Sequence, residues 1–117
     1  MTTYPRMLET VAARVRSEQA RAEERARRGI EDATRCAKVL ADRMGAKRVW
    51  LFGSLARGVA RPRGDLDLAV EGLEPSRYFE ALGLLLEETS LPVDLVRIEE
   101  ASPALLEAIQ RDGRALV

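Results

Sequence analysis

Two aspartates, Asp65 and Asp67, stand two positions apart in an apolar run, and a Gly53-Ser54 pair precedes them by ten intervening residues. Residues Val49 to Phe52 form a first apolar run that ends at the Gly-Ser pair. A short polar stretch reaches Gly64, and Leu66, Leu68 and Val70 alternate with the two acids. Strand side chains alternate between faces, so a strand over 65–71 turns the leucines and valine to a core and both carboxylates to the opposite face. On that face the two acids lie roughly 6–7 Å apart along the strand. Like charges at that spacing repel unless one takes up a proton or a cation lies between them. A hard divalent ion resolves the conflict, and Mg²⁺ commonly takes one or two carboxylates together with nucleotide phosphates. Asp-x-Asp alone marks a solvated strand face more often than a site, and Gly-Ser alone is usually a turn. Their occurrence together between two strand-like runs is what singles out this segment.

A third acid sits downstream. Leu91-Pro92-Val93-Asp94-Leu95-Val96-Arg97-Ile98 reads as a strand opened by proline, with Asp94 inside the apolar run. A carboxylate there is costly to bury unless it is paired or bound to a metal. The plain alternative is a solvated strand end or a salt bridge to Arg97.

The elements that must hold these residues follow from spacing. A helical segment starts after Pro5 and carries Leu8, Val11 and Val15 on one face, with a thin apolar face between Arg16 and Arg28. Gly29 either breaks it or is crossed at a cost of about 1 kcal/mol. Ile30, Ala33, Ala37, Leu40 and Met44 continue an apolar stripe at helical spacing up to a stop at Gly45. Strands are expected at 47–52, 65–71 and 93–98. Between the last two, a helix opens at Glu74-Pro75-Ser76 and runs to about Thr89, with Phe79, Leu82, Leu85 and Leu86 expected to cover the sheet. Ser102-Pro103 is an N-cap followed by proline at the first helical position, opening a helix that ends near Arg111. Residues 114–117 can add a short last strand. The expected fold is α/β (α+β), a small mixed sheet of three to four strands flanked by helices. Residues 1–29 form an N-terminal helical extension and 30–117 the domain proper.

Composition narrows the chemistry. The 117 residues contain no histidine and one cysteine, Cys36. Imidazole bases, His-based triads, His-ligated zinc and an intramolecular disulfide are excluded, so catalysis must rest on carboxylates, metal and arginine. Cys36 falls in a helix and is expected to be a small buried residue. No apolar run approaches a membrane span, and no signal-like segment opens the chain, so a cytoplasmic protein is expected. The net charge is zero but uneven, +5 over residues 1–48 and −5 over 49–117. Acidic residues interleave the basic half at i,i+4, as in Glu23-Arg27, Glu24-Arg28 and Glu31-Arg35. That pattern stabilises a solvated helix and accounts for the charge without direct nucleic-acid binding.

At Gly53, Ser54, Asp65 and Asp67, with Ala56-Arg57-Gly58 and Arg61-Pro62 beside them, the chain resembles the nucleotidyltransferase superfamily that includes DNA polymerase beta. It is closest in pattern to the minimal nucleotidyltransferases (MNT proteins) often encoded beside an all-helical HEPN partner. The resemblance covers roughly residues 30–117. Gly64 departs from the pattern, in which a serine or another small polar residue often precedes the first aspartate, and the first thirty residues have no counterpart in it. The resemblance implies that Asp65, Asp67 and Asp94 hold two Mg²⁺ ions, with Asp94 on the nucleophile side as a candidate general base. It implies that Gly53 and Ser54 grip a terminal phosphate of ATP at the start of a helix. Arg57 then either clamps the triphosphate or makes a salt bridge that steadies the loop, and Arg61 and Arg63 have weaker claims. The resemblance further implies an antitoxin that transfers AMP from ATP to a tyrosine of a HEPN toxin. Two other readings stand beside it: a non-catalytic antitoxin that inhibits its partner by occlusion, and nucleotidyl transfer to a small molecule such as an aminoglycoside. Larger relatives carry a second domain for the acceptor, so here a partner protein or a second copy in a homo-oligomer is expected to supply that surface.

Overall fold

A computed structural model of the chain describes residues 4–59, 61 and 64–117. Helix α1 (Tyr4–Met44) leads into strand β1 (Arg48–Phe52), the one-turn helix α2 (Gly53–Ala56) and strand β2 (Leu66–Glu71). Helix α3 (Tyr78–Glu88), strand β3 (Val93–Arg97), helix α4 (Pro103–Asp112) and the two-residue strand β4 (Arg114–Ala115) follow. The sheet order is β3-β2-β1-β4. β1 runs antiparallel to β2 and to β4, whereas β2 and β3 are parallel. A parallel pair needs a crossover, and α3 provides it.

The alternation read from the sequence is what divides the sheet into two faces. Val49, Leu51, Leu66, Leu68, Val70 and Leu95 point into the main core, where α1 contributes Ala33, Cys36, Ala37 and Leu40 and α3 contributes Ala81 and Leu85. The opposite face carries a smaller cluster in which Phe52, Ala69 and Ile109 of α4 meet Trp50 and Val96. Asp67 lies between Leu66 and Leu68 and is therefore on the α4 side of the sheet.

α1 runs unbroken through Gly29. That glycine is buried, and a Cβ there would come within 2.7 Å of Leu55 Cδ2. The missing side chain is what lets α1 lie close against α2, which is the compensation for a glycine in mid-helix. Beyond that contact the helix leaves the sheet. With a rise of about 1.5 Å per residue its 41 residues span about 60 Å, and they set the 70 Å long axis of the molecule. Met7, Leu8, Val11 and Val15 on the projecting part are about half exposed. Of the expected charge pairs Glu24–Arg28 forms, at 2.9 Å, while Arg27 binds Glu24 and Glu31, and Arg35 binds Asp32. These two arginines hold the Glu24 carboxyl down at about 2.

Two expectations needed correction. The helix after β2 begins as a 3₁₀ turn at Pro75–Arg77; in α3 proper Leu85 is buried and Leu82 packs on the core as expected, with Ala81 beside them, but Phe79 is 82% exposed and Leu86 56%. Tyr78 fixes this rotation, donating its hydroxyl to the Leu95 carbonyl of β3 at 2.6 Å. Asp65, placed in the strand from sequence, lies just before its first residue. Cys36 is fully buried, and burial pushes its thiol up to about 11. Among the described residues no helix is long and apolar enough to cross a membrane.

The expected cap forms: the Leu105 N–H donates to Ser102 Oγ at 3.2 Å, with Pro103 opening α4. Ser102→Ala should lower unfolding stability by about 1 kcal/mol, read as a shifted denaturant midpoint at unchanged slope.

Candidate functional site

Register brings the acids together. Asp67 of β2 pairs with Asp94 of parallel β3, and on its other side with Phe52 of antiparallel β1. Residues directly opposite in adjacent strands share a face, and the strands are about 4.8 Å apart. Asp94 is exposed and Asp67 half-buried. Of the two plain alternatives for Asp94, exposure at the start of the strand is what is seen, while Arg97 bonds Glu100 at 2.5 Å and the Leu73 carbonyl at 2.9 Å.

Asp67 is the electrostatic centre. Burial pushes its carboxyl up from 3.8 to about 6, with the negative charges of Asp94 and then Asp65 adding to the rise and the Arg57 guanidinium opposing it. Asp94, Asp65 and Arg57 thus all act on Asp67. Tyr78, raised chiefly by burial, also feels Asp94.

Gly53 abuts this centre. It opens α2 directly after β1 with φ +75°, and a Cβ there would fall 2.1 Å from Asp67 Oδ2. The Gly-Ser turn is therefore built against the carboxylate of Asp67. No side chain caps the start of α2. Its first-turn N–H groups have no partner within the helix itself. Ser54 faces a cavity of about 290 Å³ that Asp65 and Arg61 also line. Pro62 and Arg63 lie outside the described residues.

The donor set is all carboxylate oxygen, which fits a hard divalent ion. Among the described residues no three acidic side chains are already gathered around one point. Asp67 and Asp94 are the pair that the sheet fixes, and Asp65 stands beside them in the preceding segment.

The sequence reasoning missed two contributors to the cavity wall, Arg25 and Arg28 of α1. The available signal was Gly29, which marks the close approach that swings this part of α1 over Ser54.

The Polymerase beta nucleotidyltransferase domain, as a sequence model of the family, matches residues 34–117. The chain belongs to this nucleotidyltransferase family. No curated protein sequence matches it. Among solved structures it is 32% identical to a protein provisionally assigned as a minimal nucleotidyltransferase, covering 73% of this chain and 90% of that one with a TM-score of 0.58. It is 28% identical to a chain in the structure of a toxin–antitoxin with AMP-PNP (68% of each chain, TM-score 0.61). It is also 25% identical to a chain of the complex between tri-AMPylated Shewanella oneidensis HEPN toxin and MNT antitoxin (76% of this chain, 71% of that, TM-score 0.60).

Proposed function

We propose that this chain is a Mg²⁺-dependent adenylyltransferase that moves AMP from ATP to a tyrosine hydroxyl of a HEPN-type partner, silencing it as an antitoxin in the cytoplasm. The observation that carries the reading is Asp67 held in register beside Asp94, with Asp65 acting on it and the Gly53 turn pressed against its carboxylate. The AMP-PNP and tri-AMPylated complexes of similar proteins support the nucleotide and the acceptor.

Asp65, Asp67 and Asp94 would hold the metal, which when bound neutralises charge on the phosphates and lowers the pKa of an attacking hydroxyl. Gly53 and Ser54 would receive the terminal phosphates, and Arg57 would balance their charge. The acceptor oxygen attacks the α-phosphorus as the bond to the pyrophosphate oxygen breaks, and pyrophosphate leaves with that electron pair. Asp94, the more exposed of the paired acids, would take up the hydroxyl proton as general base.

The test is to incubate the full chain with MgATP and its HEPN-type partner and weigh the partner by mass spectrometry. A gain of one or more AMP groups is expected. A tight complex with no mass change would replace transfer by occlusion, and modification of an aminoglycoside in place of the protein would move the acceptor to a small molecule.

A further inference from the structure

The cavity beside Ser54 and Asp65 is closed on one side by α1, through Arg25 and Arg28. Both lie before residue 34, where the match to the family begins. Arg25 is half-buried, with its Nε shielded from solvent. Arg28 is anchored by a 2.9 Å bond from its Nε to Glu24, a contact that does not use its two terminal nitrogens. Arg61 adds a third positive charge to the wall. Of the acids there, Asp32 is already bonded to Arg35 and to the Thr89 hydroxyl, which leaves Asp65 for the metal.

We propose that Arg25 and Arg28 grip the terminal phosphates of the bound nucleoside triphosphate, making α1 a wall of the nucleotide site. This rests on the nucleotidyltransferase reading above and adds to it two residues from outside the family match. The cavity's volume of about 290 Å³ is at the small end of the usual ~300–1,000 Å³ for ligand pockets. It suits a phosphate tail better than a whole nucleotide. Guanidinium groups match phosphate oxygens in pairs. Charge gathers on the departing pyrophosphate, and cations fixed on a rigid helix would stabilise it on the side away from Asp94.

Gly29 explains how the helix reaches. Its lack of a side chain brings α1 onto Leu55, next to Ser54, one residue beyond Arg28.

The test is calorimetric titration of the full chain with Mg–AMP-PNP and, separately, with AMP. An Arg25→Gln/Arg28→Gln double variant should bind AMP-PNP at least about tenfold more weakly while AMP affinity stays within about twofold. Arg14→Gln, on the same helix away from this cavity, should match the unsubstituted protein. Equal loss for AMP-PNP and AMP, or no loss for either, overturns the proposal and leaves the transferase reading standing. A native chain that binds no Mg–AMP-PNP overturns both. Should the Arg25 change unfold the chain in a thermal melt, Arg28→Glu alone decides, because that residue is exposed; unchanged AMP-PNP affinity there would also sink the idea.

Discussion

Asp67→Asn should lower nucleotidyl transfer by roughly 10²–10³-fold or more and at the same time raise the stability of the metal-free protein. Both effects have one origin. The sheet holds Asp67 half-buried, in register with Asp94 and within the field of Asp65, so its carboxyl sits near 6 where 3.8 is ordinary. A folded-state pKa above the unfolded value means that the native state binds the proton more tightly. Stability from this group is therefore full below about pH 4 and is lost as pH rises through about 6. At pH 7.5 the metal-free protein carries the whole penalty, about 1 kcal/mol once solvent screening of a half-exposed group is allowed for. Asparagine removes the charge and keeps the shape. Thermal melts in EDTA should show the variant gaining on the native protein between pH 4.5 and 7.5. Mg²⁺ should raise the midpoint of the native protein alone, because only it offers the full charge. A native protein more stable than Asp67→Asn at pH 7.5 without metal would contradict this account.

Much of that site could be read from residues in order. Alternation of Asp67 with Leu66 and Leu68 decides its face, and the parallel register sets Asp94, an exposed residue, directly beside it. The interruption at Gly53-Ser54 likewise separates β1 from β2 with little freedom. What was not legible depends on phase and reach. α3 has apolar residues on several sides, so a face through Phe79, Leu82, Leu85 and Leu86 and one through Tyr78, Ala81, Leu82 and Leu85 are both acceptable helical stripes. The hydroxyl of Tyr78 and the 3₁₀ start at Pro75 select the second. α1 is similar: its stripe from Ala33 to Leu40 is plain, but whether Arg25 and Arg28 arrive at Ser54 depends on how closely the backbone at Gly29 approaches Leu55. One-dimensional spacing carries no such distance.

Gly53→Ala should cut transfer by roughly 10²-fold at a stability cost of only about 1–2 kcal/mol. Two separate penalties meet at this residue. Its φ of +75° is a left-handed conformation that a Cβ disfavours, and the new methyl would occupy the space of Asp67 Oδ2, 2.1 Å from the ideal Cβ position. Something must move, and the carboxylate, at the end of a rotatable side chain, moves more easily than the strand. Displacing it takes Asp67 away from Asp94 and relieves part of their repulsion, which limits the loss of stability while spoiling the site. Gly45→Ala separates the two penalties. Gly45 has a similar φ of +72°, and nothing lies within 4 Å of the position its new methyl would take. It should lose comparable stability and keep full transfer activity. Equal activity loss in both variants would mean that general destabilisation accounts for the effect; loss confined to Gly53→Ala ties the conformation of the turn to the carboxylate it touches.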